Sequence, residues 1–233
     1  MPNPHKPSLS KESNYWREYF DQKADTTDVK SSRNGYLSNA NARLMHHTVQ
    51  KTLGSLRDQR ILDVGCGDGD VTSALTIQND IIGLDLSSRM LNVASTSGVI
   101  PVCADMLEPP FPPNSFDTVI CVEAMTCLSQ PLEVLPILTK MLRPGGSLLI
   151  GGLNFHSMLR RLIRPLTSTL GTQHPRLIMP GHCRAILDEL GVHLEPTIWI
   201  TYYPGFSLQG EPPIMTPIIK KWATNFLIKG LKR

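Results

Sequence analysis

Continuous apolar runs along the chain alternate with stretches in which apolar positions recur at helical spacing. Ile61–Val64, Ile81–Leu84, Val99–Ala104, Phe116–Glu123 and Ser147–Gly151 are short and mostly apolar with turn residues at their ends, which predicts strands buried on both faces. Leu44, Met45, Val49, Leu53 and Leu56 fall on one stripe and predict a helix over 41–56; further helices are expected over Leu132–Leu142 and from Cys183 to Leu190, where Gly191 ends the run. His193–Tyr203 reads as a sixth strand and Asn225–Leu231 as a seventh, with a short helix around 218–223 between them. Strands alternating with helices imply a parallel sheet covered on both faces, with any ligand at the carboxyl ends of the strands. Gly65, Asp85, Asp105 and Val122 all stand at such ends.

The flanking segments are of other kinds. Residues 1–12 are polar and Pro-containing, a loose tail. Tyr15, Trp16, Tyr19 and Phe20 then form one aromatic face of a short helix, which either packs on the core or covers the ligand crevice. The segment 24–40 is turn-rich, with Asn34-Gly35 as its sharpest break. After the fifth strand, Met158, Leu159, Leu162, Ile163 and Leu166 make an apolar helical face opposite Arg160, Arg161 and Arg164. This basic amphipathic helix either packs on the domain or contacts an amphiphilic substrate or a membrane surface.

Candidate chemistry begins where the first strand breaks into Gly65-Cys66-Gly67-Asp68-Gly69. Alternating glycines permit backbone conformations that a β-carbon forbids, so a ligand can approach the main chain closely. An ordinary strand-turn-helix corner would look similar, but Asp85 closes the second strand twenty residues beyond Gly65. An acid there is placed to take both hydroxyls of a ribose. The third glycine comes one residue earlier than in a dinucleotide turn, which disfavours a pyrophosphate.

The run L-D-V-G-C-G-D-G followed by G-L-D-L-S-S-R-M-L, with L-R-P-G-G-S-L-L-I at 142–150, closely resembles the motifs of class I S-adenosylmethionine-dependent methyltransferases. The likeness is to the small-molecule, ubiquinone/menaquinone-methyltransferase-like, type 11 group. It implies a Rossmann-like, doubly wound α/β fold whose mostly parallel seven-stranded sheet ends in an antiparallel strand, with N-terminal lid helices. Residues 1–40 would be tail and lid, and 41–233 the cofactor-binding domain. The cofactor would be S-adenosylmethionine, held by Asp63, Gly65, Cys66 and Gly67 of the first motif and by Asp85 and Leu86 of the second. Asp105 would accept from the adenine amine while Met106 packs on the ring, Val122 would lie under the methionine portion, and Arg43 would reach its carboxylate. Two other classes stay open: a nicotinamide-dependent oxidoreductase on a similar sheet, against which the glycine spacing and the L-R-P-G-G turn count, and a cofactor-binding protein without catalysis.

Composition narrows the acceptor. A formal charge of +3 over 233 residues is too mild for a nucleic-acid binder, and the Asn/Asp-Pro-Pro-aromatic motif of base methyltransferases is missing where Glu123-Ala-Met-Thr stands, so a small molecule with an apolar portion is expected. Five scattered cysteines without zinc spacing point to a reducing, cytoplasmic setting and to no bound metal. No run approaches the roughly 18 apolar residues of a membrane span, leaving only peripheral membrane contact. An oxygen or carbon acceptor must shed a proton, and His156, a few residues past the fifth strand, is the first candidate base, followed by His46 or His47 and then Glu123; a neutral amine needs none.

Overall fold

The computed structural model describes residues 10–26, 39–158, 175–201 and 223–233. β1 (Arg60–Val64) lies at the centre of one sheet, parallel to β2 (Asp80–Asp85) on one side and to β4 (Phe116–Val122) on the other. β3 (Ile100–Cys103) and β5 (Leu142–Leu153) extend the two halves in parallel. β8 (Asn225–Lys232) then runs antiparallel to β5 and carries β6 (Val192–Leu194) and β7 (Ile198–Ile200) on its far side, so the order is β3-β2-β1-β4-β5-β8-β6. The chain reverses direction across the sheet between β1 and β4, which opens a crevice at the strands' carboxyl ends.

Residues that alternate along each strand feed two cores. Leu62, Val64, Leu84, Val119, Cys121 and Leu148 pack with α4 (Val134–Met141) and α5 (Pro180–Glu189). Ile61, Ile81, Ile120 and Leu149 pack with Ala42, Met45 and Val49 of α2 (Asn39–Leu53) and with Ala94 of α3 (Ser88–Ser95). Burial on both faces is why these strands read as unbroken apolar runs.

Several boundaries differ from expectation. α2 ends at Leu53 because Gly54 takes φ +74° and its N–H closes on the Gln50 carbonyl at 3.0 Å. α5 starts three residues before Cys183, since Pro180 suits a first helical turn, where no N–H is needed. The expected sixth strand is split: β6 and β7 both pair with β8, but the register slips by one residue between Leu194↔Gly230 and Ile198↔Leu227, and Pro196 in the gap has no N–H to pair. No α-helix follows the glycine turn; the chain makes only a 3-10 turn, Ser73–Leu75, where the Thr76 hydroxyl bonds back to the Ser73 carbonyl at 2.8 Å and the Ser73 hydroxyl to that of Asp70 at 3.2 Å. The aromatic helix α1 runs Lys11–Thr26, further than expected, and so includes the beginning of the turn-rich segment. The amphipathic stretch beyond Met158, the turn Asn34-Gly35 and nearly all of the helix expected near 218–223 lie outside the described residues.

Candidate active site

The crevice is open at its mouth and lined mostly by apolar side chains with a few polar groups, the character of a small-molecule site. Its floor is the turn after β1, where Gly65, Gly67 and Gly69 take φ of 68°, 55° and 73°. Gly65 is required twice over: its φ is left-handed, and a β-carbon there would sit 2.1 Å from that of Ala124, which leans over the turn from the end of β4. The ends of β2, β3 and β4 supply Asp85, Leu86, Ala104, Met106, Val122 and Glu123 as walls.

Asp85 is bonded to the main chain on both oxygens: Oδ2 accepts from the Gly67 N–H and Oδ1 from the Ser87 N–H, each at 2.9 Å. Burial pushes its carboxyl upward, and these N–H donors oppose the shift. Each carboxylate oxygen has a second lone pair, so a diol at the crevice can still be accepted. Asp63 does not reach the crevice. It is buried beneath the turn, its Oδ2 accepting from the Thr72 hydroxyl at 2.7 Å, and burial raises its pKa to about 7. Cys66 and Cys127 line the crevice as protonated thiols, both raised first by burial and then by the nearby Asp85 carboxylate, Cys127 to about 12. Neither suits thiolate chemistry.

The crevice is roofed by α1, from which Trp16, Arg17 and Phe20 line the cavity. Polar ties hold the helix there: the Ser87 hydroxyl donates to Asp21 at 2.6 Å, the Ser13 hydroxyl to Asp105 Oδ2 at 3.4 Å, and Arg89 pairs with Asp25. Asp105 also caps its own turn, Oδ1 accepting from the Leu107 N–H at 2.9 Å, and it faces an adjoining hollow of ≈ 460 Å³ that shares Leu86 and Met106 with the crevice.

The structure thus brings Gly65, Cys66, Gly67, Asp85, Leu86, Met106 and Val122 together in one crevice, with Asp105 beside it and Asp63 below. It does not bring in the other two candidates. Arg43 is exposed on α2 and does not line the crevice; the arginine that does is Arg17. His156 is exposed, because the buried Asn154 turns the chain away after β5, its Oδ1 accepting the His156 N–H at 3.1 Å. His47 is exposed, while His46 Nδ1 lies 3.5 Å from Asp70 Oδ2 beside the glycine turn. Arg17 and Ala104 were not singled out from the sequence; the i, i+1, i+4 aromatics around Arg17 were the signal that pointed to its helix. Among the described residues no group of three or more His, Cys, Asp or Glu side chains is arranged to hold a metal ion, and no helix is long and apolar enough to cross a membrane.

Comparison with known proteins agrees with this arrangement. Residues 62–150 match a family described as a methyltransferase domain. A ubiquinone biosynthesis O-methyltransferase of Xylella fastidiosa is 28% identical over 173 residues, 64% of this chain and 67% of its own length. In fold, the chain is similar to a SAM-dependent methyltransferase of Thermotoga maritima described as a possible histamine N-methyltransferase (TM-score 0.70, 20% identity, 93% and 99% of the two chains covered). It is also similar to magnesium protoporphyrin IX methyltransferase of Synechocystis, solved with bound SAH (TM-score 0.68, 13% identity, 94% and 99% of the two chains covered). With the strand order, the glycine turn and the strand-end acid in place, these likenesses support a class I methyltransferase that takes S-adenosylmethionine as its methyl donor.

Proposed function

We propose that this enzyme methylates a small molecule with an apolar portion, of a quinol- or phenol-like kind, inside the crevice roofed by α1. The observation that carries the reading is the convergence of a glycine turn that admits a ligand against the backbone, the Asp85 carboxylate and an otherwise largely apolar lining. S-adenosylmethionine, when bound, supplies a methyl group already activated by its sulfonium, so the chain's task is to hold and orient.

In this reading Asp85 accepts from the ribose hydroxyls, Leu86 and Met106 flank the adenine and Asp105 takes its amine. The Gly65–Gly67 turn and Val122 back the methionine portion, with Cys66 as an apolar wall. Arg17, on the roof, meets the carboxylate in place of Arg43, a pairing that suits the guanidinium fork. Asp63 acts from below, fixing the turn through Thr72. Residues 1–40 serve as tail and lid and 41–233 as the catalytic domain. The quinol-like acceptor is supported by the ubiquinone biosynthesis O-methyltransferase relatives. A reducing, cytoplasmic setting is supported by five free cysteines.

Calorimetry with S-adenosylmethionine, S-adenosylhomocysteine and NADH tests the cofactor roles, and isotope-labelled methyl transfer into a metabolite extract, read by mass spectrometry, tests the acceptor. The expected result is binding of the first two alone and label in an aromatic hydroxy compound. NADH binding, or label confined to protein or nucleic acid, overturns the reading.

A further inference from the structure

Among the described residues that line the crevice, the side chains bearing formal charge are Arg17, Asp85 and Glu123. The proposed function accounts for the first two; the third stands at the end of β4, across the crevice from the β2 and β3 ends that would take the nucleoside. Glu123 is held there with unusual firmness. Its φ of +64° and ψ of −13° are left-handed, a conformation that side chains with a β-carbon seldom adopt and that persists where the surroundings over-determine it. Its N–H donates to the Gly151 carbonyl at 2.9 Å, its own carbonyl accepts from the Thr126 hydroxyl, and its Oε1 accepts from Nδ2 of Asn225, a fully buried residue at the start of β8. Two of these bonds thus fix the Glu123 backbone and the third its carboxylate.

We propose that Glu123 is the acceptor-recognising group of this enzyme, and that the acceptor presents it with a hydrogen-bearing nucleophile, a hydroxyl or a neutral amine. The inference rests on the reading of the crevice as a methyl-transfer site. An ionised carboxylate only accepts hydrogen bonds, so the ligand group facing it must donate one. The bond is charge-assisted, which makes it discriminating: beside the bond from Asn225 the carboxylate has further lone pairs, and a ligand whose oxygens are already alkylated offers them no donor. Asn225 orients the carboxylate from behind and is a positioning residue.

Calorimetry with the S-adenosylhomocysteine-loaded protein tests this, using 4-hexylcatechol, 4-hexylaniline and 4-hexyl-1,2-dimethoxybenzene as probes of matched apolar length. The parent should bind at least one of the two donor probes tenfold or more tightly than the dimethoxy probe, and the tighter of the two tells oxygen from nitrogen. Glu123→Gln keeps an oxygen for Asn225 and so preserves the fold, but it should erase that preference while leaving S-adenosylhomocysteine affinity within twofold and the melting temperature unchanged. Glu123→Asp, charged but one methylene shorter, should retain the preference in reduced measure, and it decides the matter if Glu123→Gln fails to fold. A parent that binds all three probes alike, or none of them, overturns the proposal, as does a Glu123→Gln protein that keeps the preference. Loss of S-adenosylhomocysteine binding by the parent itself would instead strike at the crevice assignment.

Discussion

Replacing Gly65 by Ala should damage both the fold and the crevice, by an amount that the structure lets one build from two parts. The left-handed φ of 68° is open to glycine but costs a residue with a β-carbon about 1–2 kcal/mol. The added β-carbon would also lie 2.1 Å from that of Ala124, inside any permitted contact, so the turn at the end of β4 must shift. Overpacking of this kind costs about 1–3 kcal/mol. The sum, roughly 2–5 kcal/mol, corresponds to a melting temperature lower by roughly 4–20 °C in a chain of this size. Scanning fluorimetry with and without S-adenosylhomocysteine measures the loss of stability, and calorimetry should show weakened binding because the displaced turn is the crevice floor. Adding Ala124→Gly to Gly65→Ala removes the collision and leaves the φ cost, so the double variant should regain about 1–3 kcal/mol over the sum of the single effects. A Gly65→Ala protein that melts within about 2 °C of the parent with unchanged cofactor affinity would refute the reasoning, and so would a second substitution that restores nothing.

Asp85→Ala should weaken S-adenosylhomocysteine binding more than Asp105→Ala, since Asp85 lines the crevice with capacity for two hydroxyls, at roughly 1.5–3 kcal/mol each, whereas Asp105 stands beside it and would meet one amine; equal losses in calorimetry would remove the ribose role. Arg17→Ala should raise the S-adenosylhomocysteine dissociation constant about tenfold or more and Arg43→Ala less than twofold, as expected if only the former meets the carboxylate, and the reverse order would return the contact to α2. Asp63→Asn should change how stability depends on pH: the folded pKa of about 7 lies above the ordinary 3.8, so the folded state holds the extra proton between these values and the parent loses stability as pH rises through that window, levelling off above it. At about 1.4 kcal/mol per unit the loss is on the order of 4 kcal/mol, and urea melts of parent and variant at pH 5 and pH 8 should diverge with rising pH; a constant difference would show that Asp63 does not titrate in the fold.

The sheet was legible because parallel strands buried on both faces cannot alternate. Ile61-Leu62 sends one side chain to α2 and the next to α4, and both must be apolar. Their carboxyl ends were legible for a related reason, since the chain must break there with glycine or acid. What escaped were features decided by small local preferences. The one-residue slip at Glu195-Pro196 depends on a missing N–H, and the 3-10 turn at Ser73–Leu75 on hydroxyls competing for backbone carbonyls, neither of which alters hydrophobic periodicity.

The same division runs through the site. Gly65, Asp85 and Met106 could be named as crevice residues because each stands at a strand end or within three residues of one, a position that the apolar run itself marks. Arg17 and Glu123 owe their positions to pairings across the chain. The aromatic face of α1 announced that something would be covered, yet the choice of the crevice is made by Ser13 with Asp105, 92 residues away, and by Asp21 with Ser87, 66 residues away. Glu123 stood in view at the end of a predicted strand, but the partner that fixes its carboxylate, Asn225, is 102 residues further on, at the start of a strand whose neighbours only the assembled sheet defines. His156 shows the converse: closeness in sequence to a strand end placed it among the candidates, while Asn154, two residues earlier, is buried and sends the chain outward. Spacing along the chain locates the groups that the backbone itself presents, and those that side-chain pairing presents emerge only when distant segments meet.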